Sequence, residues 1–280
     1  MIVTFWGVRG SISAPGVSTI RYGGNTPCVE VQTRSGGFVV DAGYGVVALG
    51  EQLMRRAAGK PQTVHILLTH LHWDHIQGLP FFSPIYVPGN RIIIHSASVT
   101  TAKQAMDRLF TSVYSPIMGV ENLGATIEHE PLSGAGIELA GAEIRPLPLA
   151  HSVPVQGLHI AAEGKRLVHA TDHEGGDANV DAALVEVAQE ADLLIHDAQF
   201  TLEEYQQYRG WGHSSTDAAV RNARAARVRR LALFHYDPTR SDDDVAAQLR
   251  RAQELCADGG PTVMASAELV SVDLDQPPAP

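Results

Sequence analysis

Cysteine is nearly absent. Cys28 and Cys256 are the only two in 280 residues, far apart and in no Cys-x-x-Cys pair. That spacing excludes a thiolate zinc site and a disulfide framework, and two buried free thiols are expected. Long apolar runs are also missing. None reaches the roughly 18 residues of a membrane-spanning helix. The start, Met1 to Trp6, lacks the basic residues and extended apolar stretch of a signal peptide, so cytoplasmic residence is expected. Basic residues are in deficit: 21 Lys and Arg against 31 Asp and Glu give a net charge of −10. A surface built broadly for nucleic acid needs the opposite balance, although a local basic groove remains compatible. Arg221, Arg224 and Arg227 are spaced to share one helix face, with Arg229 and Arg230 following, and read as a solvated face. No linker, low-complexity segment or short repeat occurs. Residues 1–272 therefore read as a single domain, long enough to bury a core without staples, and 273–280 as a flexible tail containing Pro277, Pro278 and Pro280.

Histidine is abundant, with 13 residues, and it is the commonest metal ligand. Apolar runs bounded by Gly and Pro predict strands at Ile2 to Trp6, Cys28 to Thr33, Gly37 to Asp41, Thr63 to Leu68 and Arg91 to His95. Further strands are predicted at 137–149, 157–161, 166–170, Leu193 to Ile195, Arg230 to Phe234 and Thr262 to Met264. Helical periodicity and stop signals predict helices at Val46 to Gly59, Ser98 to Phe110, Val180 to Glu190, Thr216 to Ala226 and Asp242 to Cys256. Residues 111–130, with Tyr114, Pro116 and Met118, read as irregular. A strand-rich first part followed by alternating strands and helices fits two sheets sandwiched between helices.

The strand Val64 to Leu68 runs into Thr69 and then His70-x-His72-x-Asp74-His75, which puts four potential ligands within six residues. Imidazole nitrogen and carboxylate oxygen suit zinc, manganese or iron. One loop cannot complete two metal sites, so further ligands are expected at other strand ends. His151 follows the run Ile144 to Ala150, Asp172 follows Leu167 to Thr171, and His235 follows Leu231 to Phe234. His173 and His196, beside Asp172 and Asp197, are rivals, but neighbours along a strand point to opposite faces. His65, His95, His129, His159 and His169 read as core or surface residues.

The cluster resembles the signature of the metallo-β-lactamase superfamily, and the order of His151, Asp172 and His235 matches it along nearly the whole chain. The resemblance is closer to the ribonuclease Z-like phosphodiesterase branch. Ala191-Asp-Leu-Leu-Ile-His-Asp-Ala-Gln-Phe200 is similar to that branch's strand ending in His-Glu-Ala-Thr, with Asp197 in place of the usual Glu, one methylene shorter. Gly212-His213-Ser214-Ser215 is similar to its Gly-His-Ser-Thr helix start, and Asp41-Ala42-Gly43 to its Asp-x-Gly turn. The resemblance implies an αββα sandwich, two mixed sheets flanked by helices. It also implies two divalent metal ions, Zn2+ first, with Mn2+ or Fe2+ as alternatives. One metal would take His70, His72 and His151, and the other Asp74, His75 and His235, with Asp172 bridging. A hydroxide between the metals would be the nucleophile, with Asp74 orienting it. His213 would act as general acid, oriented by Asp197. A small anionic substrate, a nucleotide or RNA, and a homodimer are further implications. No Gly/Pro-rich insertion like the transfer-RNA-gripping arm of ribonuclease Z is present.

Weaker signals surround the cluster. Gly7-Val-Arg-Gly-Ser11 and Tyr22-Gly-Gly-Asn-Thr26 resemble the first-hairpin loop of bacterial members, where Arg9 or Asn25 would meet an anion; tight turns are the other reading. Ile76 to Phe82 is expected to start a helix that packs the metal loop onto the core. Residues 83–120, with Tyr86 and Phe110, read either as a lid or pocket wall or as a plain surface excursion. The function that follows is a dinuclear metal-dependent phosphodiesterase acting on a cyclic nucleotide, a small phosphodiester or an RNA end. A lactone, β-lactam or thioester hydrolase on the same metals is the alternative, and a non-catalytic or redox-sensing metal protein is the alternative from another class.

Overall fold

Runs of Val, Ile and Phe separated by Gly and Pro form the strands, because β-branched and aromatic side chains pack well on a pleated surface. The computed structural model describes residues 1–115, 117 and 119–277; Pro116, Met118, Pro278 and Pro280 lie outside the described residues. The first half runs β1 (Ile2–Gly7), β2 (Cys28–Thr33), β3 (Gly36–Val40), α1 (Gly45–Ala57), β4 (Thr63–Leu67), α2 (Trp73–Ile76), β5 (Arg91–Ser96), α3 (Val99–Leu109) and β6 (Thr126–Pro131). The second half runs β7 (Ile137–Leu139), β8 (Ala142–Leu149), β9 (Val155–Ala162), β10 (Lys165–Ala170), α4 (Ala178–Val187), β11 (Leu193–Asp197) and α5 (Leu202–Gln207). It ends with α6 (Thr216–Ala225), β12 (Arg230–Phe234), α7 (Asp242–Leu255), β13 (Thr262–Ala265) and β14 (Ser271–Asp273).

Two seven-stranded sheets result, in the orders β14-β1-β2-β3-β4-β5-β6 and β13-β12-β11-β10-β9-β8-β7. In the first, β3 to β6 are parallel; in the second, β10 to β13 are parallel. Phe5, Phe38, Leu158, Leu194 and Leu233 belong to the main buried cluster, which α4, α6 and α7 extend. A second cluster, with Leu49, Ile66, Phe82, Ile92 and Phe110, seats α1 and α3 on the first sheet. The result is the expected αββα sandwich. Parallel α/β sheets place functional groups beyond the carboxyl ends of their strands. The sandwich aims two such edges at one place: β3 and β4 from the first sheet, β10, β11 and β12 from the second.

Several elements differ from expectation. The stretch Ile76 to Phe82 is no helix. The four-residue α2 stops at Ile76, and a 3-10 turn follows at Leu79–Phe81, because Pro80 has no N–H to continue an α-helix. Residues 137–149 fold as the hairpin β7-β8, turning at Ala140 and Gly141 with φ of 52° and 71°. Within 111–130, Thr126–Pro131 adds a parallel edge strand whose outer residues stay half-exposed. Within the stretch 83–120, β5 and α3 belong to the fold's layers and Phe110 is buried in the second cluster, whereas Val113 and Tyr114 are exposed. The chain stays ordered past the expected start of the tail: Asp273 ends β14, and Leu274 is buried. Cys28 is buried, but Cys256 is half-buried at the end of α7. The arginines of α6 are solvated, pairing with Asp181 (Arg221), Asp258 (Arg224) and, just beyond the helix, Glu190 (Arg227). Among the described residues no helix is long and apolar enough to cross a membrane.

Leu158 is fully buried in β9, a central strand of the second sheet. Leu158→Ala removes its transfer energy and leaves a cavity, an expected loss of about 2–5 kcal/mol of unfolding free energy. Urea unfolding followed by circular dichroism measures it; a loss near zero would mean that the two sheets do not pack through this strand.

Candidate metal centre

Three residues just past strand ends depart from ordinary backbone geometry. Asp41 after β3, Asp172 after β10 and His235 after β12 have φ of 61°, 57° and 62°. This left-handed region is costly for residues with a Cβ and collects at functional sites. Each turn swings a side chain from its own sheet toward the gap between the sheet edges. The loop after β4 enters the same gap from the other side.

The structure brings seven side chains together there. Ligand atoms of His70, His72, His151 and Asp172 lie within 4.8 Å of one another, and so do those of Asp74, His75, Asp172 and His235. Asp172 belongs to both groups through different oxygens. Its Oδ2 lies 3.4 Å from His70 Nε2 and 3.7 Å from His151 Nε2. Its Oδ1 lies 3.3 Å from His75 Nε2 and 3.1 Å from His235 Nε2. His151 Nε2 stands 3.1 Å from His72 Nδ1, and Asp74 Oδ2 stands 3.4 Å from His75 Nε2 and 3.2 Å from His235 Nε2. Two donors on one tetrahedral zinc, each at its usual bond length, sit about 3.4 Å apart. The donor set therefore fits two divalent ions. Two further observations agree: His70 Nε2 and His75 Nε2 are buried with no hydrogen-bond partner among the described residues.

In the rings of His70, His75, His151 and His235 the second nitrogen is tied down, which selects the tautomer that leaves the inward nitrogen free. His151 donates from Nδ1 to the Gly212 carbonyl at 2.7 Å, and His75 from Nδ1 to Asp41 Oδ2 at 2.8 Å. His235 Nδ1 faces Gln199 Oε1 at 3.1 Å, and His70 Nδ1 faces the Thr69 hydroxyl at 3.1 Å. Asp41 also accepts from Thr69 N at 2.9 Å, so one carboxylate braces both ends of the His70 to His75 loop. Electrostatics divide the cluster: against its burial, Asp172, Asp74 and Asp41 raise the His75 ring well above the usual imidazole range. Burial, reinforced by His75, pushes His70 well below the usual imidazole range, and burial also lowers His72 and His151. Burial works against ionisation of Asp172, but His235, His75 and His70 hold its carboxyl well below the usual range.

His213 stands beside the cluster. Its Nδ1 donates to Asp197 Oδ2 at 2.8 Å, so the shorter carboxylate still reaches the ring. Asp197 Oδ1 accepts from Gln199 N and Ser214 N at 3.1 and 3.0 Å, which fixes the plane of the carboxylate. Burial alone would lower the His213 ring, but Asp197, with Asp172 and Asp74 beyond it, raises it to about 9. The rivals turn away: His173 Nε2 pairs with Asp181 at 2.9 Å, and His196 faces the Asp197 carbonyl and Asn222. His65 and His95 face each other at 3.0 Å, outside the cluster.

Neither substrate-contact candidate has its side chain free. Arg9 is fully buried and donates to the carbonyls of Gly23, Asp237 and Arg240, while Asn25 is bound to Glu268 through its N and Nδ2. The Gly7 to Ser11 segment reaches the site through its backbone instead. Ser11 N donates to Asp74 Oδ2 at 2.7 Å, and a Cβ on Gly10 would collide with the His235 ring. Sequence reasoning also missed Glu174, which carries no motif. Its carboxylate accepts from Gly210 N at 2.6 Å, Gly212 N at 2.7 Å and Tyr205 Oη at 3.2 Å, and its own N–H donates to the Ala150 carbonyl. It thereby ties the loop carrying Gly212 and His213 to the turn carrying His151.

The two braces act on opposite halves of the centre. Asp41→Asn and Glu174→Ala are each expected to weaken zinc binding about 10–100-fold. Chelator-competition titration measures this, with far-ultraviolet dichroism confirming the fold. Unchanged affinity in both variants would sink the bracing account.

A family profile described as a beta-lactamase superfamily domain matches residues 37–236. Ribonuclease Z of Bacillus subtilis (strain 168) is 24% identical over 258 residues, covering 77% of this chain and 82% of that protein. Among solved structures, the metallo-beta-lactamase fold protein YhfI from Bacillus subtilis aligns with a TM-score of 0.71 at 20% identity, covering 97% of this chain and 99% of that one. Human tRNase Z, short form, aligns with a TM-score of 0.66 at 19% identity, covering 98% and 99%. The chain belongs to the metallo-β-lactamase superfamily, in its ribonuclease Z-like branch of metal-dependent hydrolases.

Proposed function

We propose that this protein is a dinuclear metal-dependent phosphodiesterase acting on a cyclic nucleotide, a small phosphodiester or an RNA end. The observation that carries the reading is the Asp172 carboxylate, whose two oxygens face two separate ligand groups. His70, His72 and His151 would hold one divalent ion and Asp74, His75 and His235 the other, with Asp172 shared. Zinc suits this nitrogen-rich, half-enclosed donor set, and manganese or iron would bind it too. Two such ions would supply Lewis acidity toward a phosphoryl oxygen and a water acidic enough to attack near neutral pH.

The protein's own groups complete the chemistry. Asp74, steadied by the Ser11 N–H, orients the attacking water. His213, oriented by Asp197, donates its Nε2 proton to the leaving oxygen as the P–O bond breaks. A placed proton donor matters most when the leaving group is a poor one, such as a ribose alkoxide. Lactone opening also expels an alkoxide, so the choice of a phosphodiester rests on the relatives. Ribonuclease Z relatives support the same class of bond. The acidic chain, with no inserted arm, favours a compact substrate over a whole transfer RNA. A homodimer is proposed by analogy with the branch alone.

Metal analysis and hydrolysis of bis(p-nitrophenyl) phosphate test this. The expected result is near two metals per chain with metal-dependent turnover, and loss of both in Asp172→Ala. His213→Ala should keep its metals and lose about 10²–10⁴-fold in kcat on an ester with an alkoxide leaving group. Two metals without phosphodiester turnover would move the search to lactones and thioesters. No bound metal after supplementation would overturn the reading.

A further inference from the structure

Of the three tryptophans, Trp6 is buried and donates from Nε1 to Glu30 at 3.1 Å. The other two are exposed and neighbour candidate site residues in the sequence. Trp73, 55% exposed, lies between His72 and Asp74, and Trp211, 63% exposed, lies two residues before His213. An indole is among the largest apolar surfaces a side chain can bury, so its exposure next to a reactive site calls for an occupant.

The Trp211 ring is held in place. It packs edge-on against Tyr208 with centroids 5.1 Å apart, Tyr208 stacks on Phe200 at 5.0 Å, and Phe200 meets the His213 ring at 6.2 Å. A ladder of rings thus runs from the exposed indole to the proton donor. The Glu174 carboxylate straps the backbone on both sides of Trp211, at Gly210 and Gly212. Arg209, on the same loop, lines a cavity of about 820 Å³ whose wall includes His151. Its guanidinium lies over the Tyr205 ring at 5.6 Å and makes no ion pair among the described residues.

We infer that this loop is a stacking subsite in which the free face of Trp211 takes a nucleobase of the substrate, joined through its sugar to the phosphate at the metal centre. The inference rests on the phosphodiesterase reading and narrows it to esters that carry a base next to the scissile phosphate. Stacking suits a molecule with this charge, because it recognises a base through its π face without needing a basic track along a polyanion.

Two chromogenic esters with the same leaving group separate base recognition from chemistry: thymidine 5′-(4-nitrophenyl phosphate) and methyl 4-nitrophenyl phosphate. The wild type is expected to prefer the thymidine ester in kcat/KM. Trp211→Ala should reduce that preference about ten-fold, and Trp211→Phe should restore part of it. An equal loss on both esters would mean that Trp211 only props the His213 loop, and would overturn the inference. Quenching of tryptophan fluorescence in the zinc-loaded protein tests binding apart from turnover. Thymidine 5′-monophosphate should quench more than ribose 5-phosphate, and Trp211→Phe should remove the difference. Equal quenching by the two would overturn the inference even if both esters are cleaved. If neither ester is cleaved, the phosphodiesterase reading falls and the quenching comparison decides the subsite alone.

Discussion

A carboxylate that is 2% exposed between two sheet edges stays ionised only where positive charge stands close to it. Asp172 meets this constraint with histidines on both sides: His70 and His151 toward Oδ2, His75 and His235 toward Oδ1. Yet histidines suited to metal binding are neutral, and burial keeps His70 and His151 that way. Neutral rings alone would leave Asp172 and Asp74 as uncompensated buried charges. Two divalent ions would resolve the conflict, since they prefer neutral imidazole nitrogens and ionised carboxylates together. The unpaired Nε2 atoms and the donor spacing agree with that requirement.

The fold serves this requirement by bringing carboxyl ends of strands from both sheets to one gap. Neither sheet holds a full ligand set. The first contributes the His70 to His75 loop, and the second contributes His151, Asp172 and His235. Sheet packing is thus coupled to metal geometry, and the left-handed turns at Asp41, Asp172 and His235 mark where the chain bends to meet it. Such turns persist only if the surroundings over-determine them. Here the packing of both sheets and the hydrogen bonds that Asp41 accepts from Thr69 and His75 do so.

What was legible in the sequence follows from where the chemistry resides. The metal loop reads directly because its ligands are close in sequence and of rare residue types. Strand-end residues such as His151, Asp172 and His235 read once their alternating apolar runs are recognised as strands. Braces did not read. Glu174 acts on two backbone N–H groups far along the chain, and any loop offers such groups, so its sequence context carries no sign of the role. The Ser11 N–H is invisible for the same reason, whereas Arg9, the conspicuous residue of that segment, satisfies three carbonyls inside the fold. Element errors have local causes as well. The apolar stretch Ile76 to Phe82 has helical composition, but Pro80 leaves a gap in the hydrogen-bond ladder and the chain turns. Thr126–Pro131 mixes polar residues on both faces because it is an edge strand.

The charge of −10 then acquires a mechanical meaning. An acidic molecule repels anions at a distance, but beyond about 8–10 Å in physiological salt that repulsion is largely screened. Within that range two bound divalent cations would reverse the balance, because they outweigh the two carboxylates that would hold them. A small anion would then feel attraction as soon as it entered the gap between the sheets, while a long polyanion would still carry charge over the acidic surface outside. Discrimination by length needs no steric gate under these conditions. The remaining selectivity would come from uncharged contacts, for which the exposed indole of Trp211 and the ring ladder behind it are the proposed source. Attraction at the centre and stacking at its rim would act on different parts of one substrate, so a compact ester with a base beside its phosphate would satisfy both.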